Sequence, residues 1–181
     1  MRTAFVAILA IAGCGGGTNV PGVCGGGDDS LPATFTIQSK GVAVEVRREP
    51  FGFTVRDGSG RTLTSTATGG AGDGYGAFGA TGGRLLWSNI TLPGYYSFDA
   101  VLDPWRDKYT VVGATPQGDD RLSLTLASSG DKGGEVRCAH VVLIARPGAL
   151  RVETTVDGEA PRAVASAFDS LTDEGFLGFG E

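Results

Sequence analysis

Strict alternation of apolar and polar residues, repeated along most of the chain, is the feature that most limits its possible folds. Phe35 and Ile37 alternate with Thr36 and Gln38, and Val42, Val44 and Val46 with Ala43, Glu45 and Arg47. Phe51, Phe53 and Val55 alternate with Gly52, Thr54 and Arg56; Leu122, Leu124 and Leu126 with Ser123, Thr125 and Ala127. Leu150, Val152, Thr154 and Val156 alternate with Arg151, Glu153 and Thr155. A period of two places one set on a core and the other in water, which defines half-buried strands. The breaks between runs are turn chemistry: Lys40-Gly41, Glu49-Pro50, Asp57-Gly58-Ser59-Gly60, Arg146-Pro147-Gly148 and Asp157-Gly158. No convincing helical stripe interrupts them, so the chain lacks the crossovers that parallel strands need. With weaker runs at Arg84 to Leu92, Tyr95 to Leu102, Lys108 to Ala114 and Ala163 to Phe168, the count reaches about ten to twelve short strands. The expected fold is all-β, an antiparallel β-sandwich. Helix is expected only in the first residues, with one short turn near Ser170-Leu171-Thr172.

The longest apolar run, Glu135 to Ala145, predicts a strand with Val136, Cys138, His140, Val142 and Ile144 on its core face. On that reading the single histidine of the chain is a buried core residue rather than a base. One segment breaks the rhythm. Gly69 to Gly83 is glycine-rich, with Tyr75 and Phe78 inside it, and is either a long mobile loop or a close-packed one rimming a site.

The N-terminus reads as an address. Met1-Arg2-Thr3 is followed by a small and apolar run from Ala4 to Ala12, too short to span a bilayer and suited to a signal peptide. Its ending, Ile11-Ala12-Gly13-Cys14, resembles a bacterial lipobox, in which small residues precede a cysteine that is lipidated and becomes the new N-terminus. Residues 1–13 are then the signal, and Cys14 the lipidation site of an exported chain held in the cell envelope through lipid alone. Residues 14–33 form a Gly-rich tether with too few apolar side chains to fold. Gly accounts for 31 of 181 residues, against an average share of about 7%, and the excess clusters here and in Gly69 to Gly83. With Cys14 lipidated, Cys24 and Cys138 remain in an oxidising compartment. They either pair, stapling tether to sandwich, or leave Cys138 buried and Cys24 free.

Net charge is −5 and the 15 basic residues form no run, which leaves no electrostatic footprint for nucleic acid. Metal sites need three or four clustered ligands, and none cluster here; no cofactor is expected. Acidic residues sit mostly in turns, where they serve the backbone, and no pair suggests catalysis. The best non-catalytic cluster is Tyr95, Asp99, Asp103 and Trp105. Aromatic rings stack on the C–H faces of sugars and carboxylates pair with their hydroxyls, so the cluster suits an oligosaccharide. The competing assignment puts Tyr96 and Phe98 in the core and Trp105 over a sheet edge; Trp87 is similarly ambiguous.

The last residues supply a resemblance. Glu174, Phe176, Leu177, Gly178, Phe179, Gly180 and Glu181 match the acidic, aromatic, Gly-x-Gly-Glu run found in glycoside hydrolase family 31, the α-glucosidase-type enzymes. There the N-terminal β-sandwich hands over to the catalytic barrel. Val42 to Val46, Pro50-Phe51-Gly52-Phe53-Thr54-Val55, Asp57-Gly58-Ser59-Gly60 and Ala163 to Phe168 are similar to strands and turns of that N-terminal domain. The resemblance covers about residues 34–181. It implies a galactose-mutarotase-like sandwich over residues 34–172 and a junction over residues 173–181. It also implies an α-glucoside or related oligosaccharide as ligand, and a loop, Gly69 to Gly83 or Asp99 to Asp107, that reaches toward the barrel. The family's catalytic aspartates lie in that barrel, so no catalytic residue carries over, and this polypeptide alone is expected to be inactive. A free-standing carbohydrate-binding surface lipoprotein and a structural envelope lipoprotein are the alternatives.

Overall fold

A computed structural model describes residues 9–11, 24, 30–67, 76–89, 96–102, 108–128, 136–158 and 161–169. Among these there is no helix. The strands are β1 (Leu9–Ile11), β2 (Thr34–Ser39), β3 (Val42–Arg47), β4 (Gly52–Asp57), β5 (Thr62–Ser65), β6 (Gly79–Thr81) and β7 (Gly83–Asn89). They continue with β8 (Tyr96–Leu102), β9 (Tyr109–Pro116), β10 (Arg121–Ser128), β11 (Arg137–Arg146), β12 (Ala149–Val156) and β13 (Ala163–Ala165). One sheet runs β2-β3-β4-β5 and a second β1-β12-β11-β10-β9, with two-stranded pairs β13-β6 and β7-β8.

The alternation read from the sequence places most inward side chains. Val42, Val44 and Val46 of β3, and Phe53 and Val55 of β4 with Phe51 just before it, face Val111, Leu122, Leu124, Leu126, Val141 and Leu143 of the second sheet in one buried cluster. Each fully buried Val or Leu contributes about 1.5–3 kcal/mol, so this cluster is the main reason the two sheets hold together. Short turns fix the registers. Lys40-Gly41 joins β2 to β3 with Gly41 at φ 79°, a left-handed conformation that glycine adopts without steric cost. Asp57 closes the β4–β5 turn by accepting the Ser59 and Arg61 amides at 2.9 and 3.1 Å, the local Asx bonding that makes Asp a turn residue. The β3–β4 connection ties the two sheets at one end: Phe51 donates to the Tyr109 carbonyl at 2.7 Å and Val111 to that of Arg48 at 3.1 Å.

Two expectations are corrected. β11 buries Ala139, Val141, Leu143 and Ala145, not the set containing Cys138, His140, Val142 and Ile144. His140 is exposed. The strand is apolar on both faces, and its partner decides: Leu122, Leu124 and Leu126 of β10 stand opposite Leu143, Val141 and Ala139. The second correction concerns the N-terminal run. Leu9–Ile11 is a strand rather than helix, and it pairs in parallel with Val152 to Thr154, the exception to an otherwise antiparallel ladder. An uncovered β12 edge would present unpaired N–H and C=O groups, which any extended segment can satisfy.

The cysteine question is resolved. Cys24 and Cys138 form a disulfide with a Cα–Cα distance of 5.5 Å, and Cys24 is buried. The glycine-rich segment is close-packed in its described half: Ala77, Phe78 and Ala80 are buried, and the Phe78 ring lies 5.1 Å from that of Tyr109.

Candidate functional site

Three places in the described residues bring chemistry-bearing groups together. The first is the β7–β8 hairpin, which forms its own two-stranded sheet. Its register sets Arg84 opposite Val101, Leu86 opposite Asp99 and Ser88 opposite Ser97 on one face. Leu85 opposite Ala100, Trp87 opposite Phe98 and Asn89 opposite Tyr96 occupy the other. The first face meets solvent: Arg84 is exposed, and Leu86 and Val101 are 41% and 47% exposed. In the backbone register Asp99 is the Cα partner of exposed Leu86, two positions along β8 from exposed Val101, the partner of Arg84. Tyr96 and Phe98 fall at alternate register positions from Asp99, as partners of Asn89 and Trp87. Of the other predicted residues, Cys14, Tyr95, Asp103 and Trp105 lie outside the described residues, as do Glu174, Phe176, Gly178, Gly180 and Glu181.

The second place is a row on the outer face of the five-stranded sheet. His140 Nε2 lies 3.1 Å from Asp157 Oδ2, and Nδ1 lies 3.5 Å from Thr125 Oγ1. With the Asp157 carboxylate accepting from Nε2–H, Nδ1 is left to accept the Thr125 hydroxyl proton. Hydroxyl, imidazole and carboxylate in that order are the elements of an activated nucleophile. Here, however, they lie on an open face, with the His140 and Asp157 side chains 47% and 54% exposed. Oxyanion stabilisation needs aimed donors in a water-excluded site, and a flat ladder whose amides are already paired provides neither. The row is a surface hydrogen-bond network. Sequence reading missed it because Thr125 and His140 meet only through the β10–β11 register.

The third place is a cavity of about 240 Å³ where β4, β12 and β13 converge. Phe51 and Phe53 wall one side, Val141, Leu150 and Val152 another, and Val164 and Phe168 the third. The Phe168 ring, 47% exposed at the rim, meets Phe53 edge-on at 6.1 Å. Among the described residues, Thr154 and Ser166 are the polar ones of the wall and no charged side chain lines it. Ala77 and Phe78, from the described half of the glycine-rich segment, complete the wall.

Titration adds one feature, away from all three places. The Asp57 carboxyl is held below the ordinary Asp value, first by the Ser59 hydroxyl bonded to it, then by the Ser59 and Arg61 amides and the Arg61 charge. Among the described residues no group of three or more His, Cys, Asp or Glu could hold a metal ion. No family model matches the chain, and neither a curated protein nor a solved structure is similar to it at a significant level.

Proposed function

We propose that this chain is a non-catalytic, carbohydrate-associated β-sandwich of galactose-mutarotase-like type. In this reading it is exported, anchored through lipid on Cys14, and acts as the N-terminal module of an α-glucosidase-type glycoside hydrolase of family 31. The observation that carries the sugar-binding part is the solvent-facing side of the β7–β8 hairpin. Exposed Leu86 and Val101 are the register partners of Asp99 and Arg84 there, and Ser88 pairs with Ser97 two positions on. Carboxylate, guanidinium and hydroxyls match sugar hydroxyls, and the apolar pair matches a sugar's C–H face. The Cys24–Cys138 bridge supports export, since such bonds persist in oxidising compartments.

Calorimetric titration with maltose-type oligosaccharides tests the reading. It expects saturable heat that Asp99→Ala weakens at least tenfold, with the melting temperature unchanged. Absence of heat would remove the carbohydrate assignment. Glucose release from an α-glucoside by the purified chain would remove the non-catalytic one. Mass spectrometry of the N-terminal peptide tests the anchor: the reading requires diacylglycerol on Cys14. A reading frame continuing past Glu181 into a barrel would support the hydrolase module; a stop there would favour a free-standing sugar-binding lipoprotein.

A further inference from the structure

We propose that the cavity between β4, β12 and β13 is a binding site for a neutral, mainly apolar small molecule: a ring compound up to bicyclic size with one hydrogen-bonding group. The proposal rests on the cavity alone and is independent of the carbohydrate reading. Size comes first. Cavities of about 150 Å³ lined by Leu, Ile and Phe admit benzene, and this one measures about 240 Å³, room for a second fused ring. Aromatic walls favour an aromatic occupant, because offset and edge-on ring contacts add to the gain from buried area. The ring of Phe53 already makes such an edge contact with Phe168 at the rim.

Polarity narrows the class. A charged ligand would be desolvated with no countercharge in the wall, at prohibitive cost. Water gains little at this lining, because an ordered molecule makes two to four hydrogen bonds and the described wall offers the polar residues Thr154 and Ser166. Those hydroxyls suit one hydroxyl, carbonyl or ring N–H on the ligand. Saccharides, with a polar group on nearly every carbon, do not fit this lining. The site is also set apart from the sugar surface, since the described residues that line it come from β4, β11, β12 and β13, their flanks and the segment before β6.

The probe is indole, with benzyl alcohol as a second neutral ring and benzoate as the charged control, added to the full chain with methyl-labelled Val and Leu. The expected result is saturable shifts at Val141, Leu150, Val152 and Val164, binding at least tenfold weaker for benzoate, and loss of binding in Val152→Phe, which fills the space. Should Val152→Phe not fold, the wild-type melting temperature supplies the second measurement and should rise with indole but not with benzoate. Unshifted methyls up to the solubility limit, shifts scattered over the protein, or equal binding of benzoate each overturn the proposal. Indole binding that appears only after deletion of residues 170–181 would also overturn it, making the chain's own Phe176-Leu177-Gly178-Phe179 the occupant.

Discussion

Replacing both bridge cysteines, Cys24→Ser with Cys138→Ser, should destabilise the protein by about 2.5 kcal/mol, roughly half the value that loop length alone suggests. The bridge spans 114 residues, and closing a loop of about 100 residues in the unfolded chain is worth about 4.7 kcal/mol in the chain-entropy treatment. That figure assumes that folding itself brings the two cysteines into place. Here Cys24 lies outside the sandwich. Leu31, seven positions on, is anchored: its carbonyl accepts from Arg48 Nη1 at 2.9 Å. In the folded but reduced protein Cys24 is seven positions in sequence from this anchor, so at most about seven residues of closure entropy are lost on oxidation in the native state. The constants cancel and the difference is 1.5RT ln(114/7), about 2.5 kcal/mol. Urea unfolding of oxidised wild type and the double variant measures it directly; a companion melt should show a fall of about 5–10 °C. Seven Gly/Ser residues inserted before Leu31 double the leash and should reduce the bridge's contribution by about 0.6 kcal/mol. A loss near 4.7 kcal/mol, insensitive to the insertion, would refute the leash argument. So would a loss below about 1 kcal/mol.

Three further outcomes follow from packing and titration. Gly52→Ala should cost about 1–3 kcal/mol by overpacking, because its Cβ would fall 2.6 Å from Arg47 Nη2 and 3.0 Å from Thr66 Oγ1, the hydroxyl that accepts the Phe53 amide at 2.9 Å; an unchanged urea midpoint contradicts this. Leu126→Ala removes a side chain with 0% exposure and should cost about 3–4 kcal/mol, read from the same denaturation curves; a value under about 2 would mean that the two sheets can close over the gap. Ser59→Ala should raise the Asp57 carboxyl toward the ordinary Asp value, since the Ser59 hydroxyl is the largest cause of its depression. A depressed carboxyl stabilises the fold above the unfolded-state value and loses that contribution as pH falls through the folded value. The acid limb of stability should therefore be shallower in the variant, and an NMR titration of Asp57 that does not move would refute the assignment.

Much of the architecture was legible because it follows from local signals. Val42, Val44 and Val46, Phe51, Phe53 and Val55, and Leu122, Leu124 and Leu126 declare their faces unaided, and Lys40-Gly41 and Asp57-Gly58-Ser59-Gly60 declare their turns. The sites were less legible because each is made by segments distant in sequence. The cavity needs Phe53, Val152 and Val164 to approach without touching, and alternation shows which way a residue faces, not how far away its neighbours stop. Asp99 was singled out for its aromatic neighbours in sequence, yet pairing with Leu86 gives it a different company. Adjacent positions on a strand are on opposite sides of the sheet, so a cluster in sequence is two half-clusters in space.

β11 shows what would have recovered the missing part. Its two candidate core sets were Ala139, Val141, Leu143 and Ala145, and Cys138, His140, Val142 and Ile144. They are too similar in apolar volume for hydrophobicity to choose between them. A one-residue slip exchanges every side chain between faces, so the choice must come from the partner strand, and β10 is unambiguous. Facing residues in the β10–β11 ladder have numbers that sum to 265, as in Leu124 with Val141. Because the sum is odd, the even-numbered leucines of β10 stand opposite odd-numbered residues of β11. The same parity sends Thr125 and His140 to the outer face together, where Asp157 reaches the imidazole. Burying the other set would leave the imidazole facing Leu124 and Leu126 without a hydrogen-bond partner, a cost of about 1–3 kcal/mol. The register that buries the core is thus also the one that assembles the polar row, and a single polar residue in an apolar strand is best read as marking the face that stays wet.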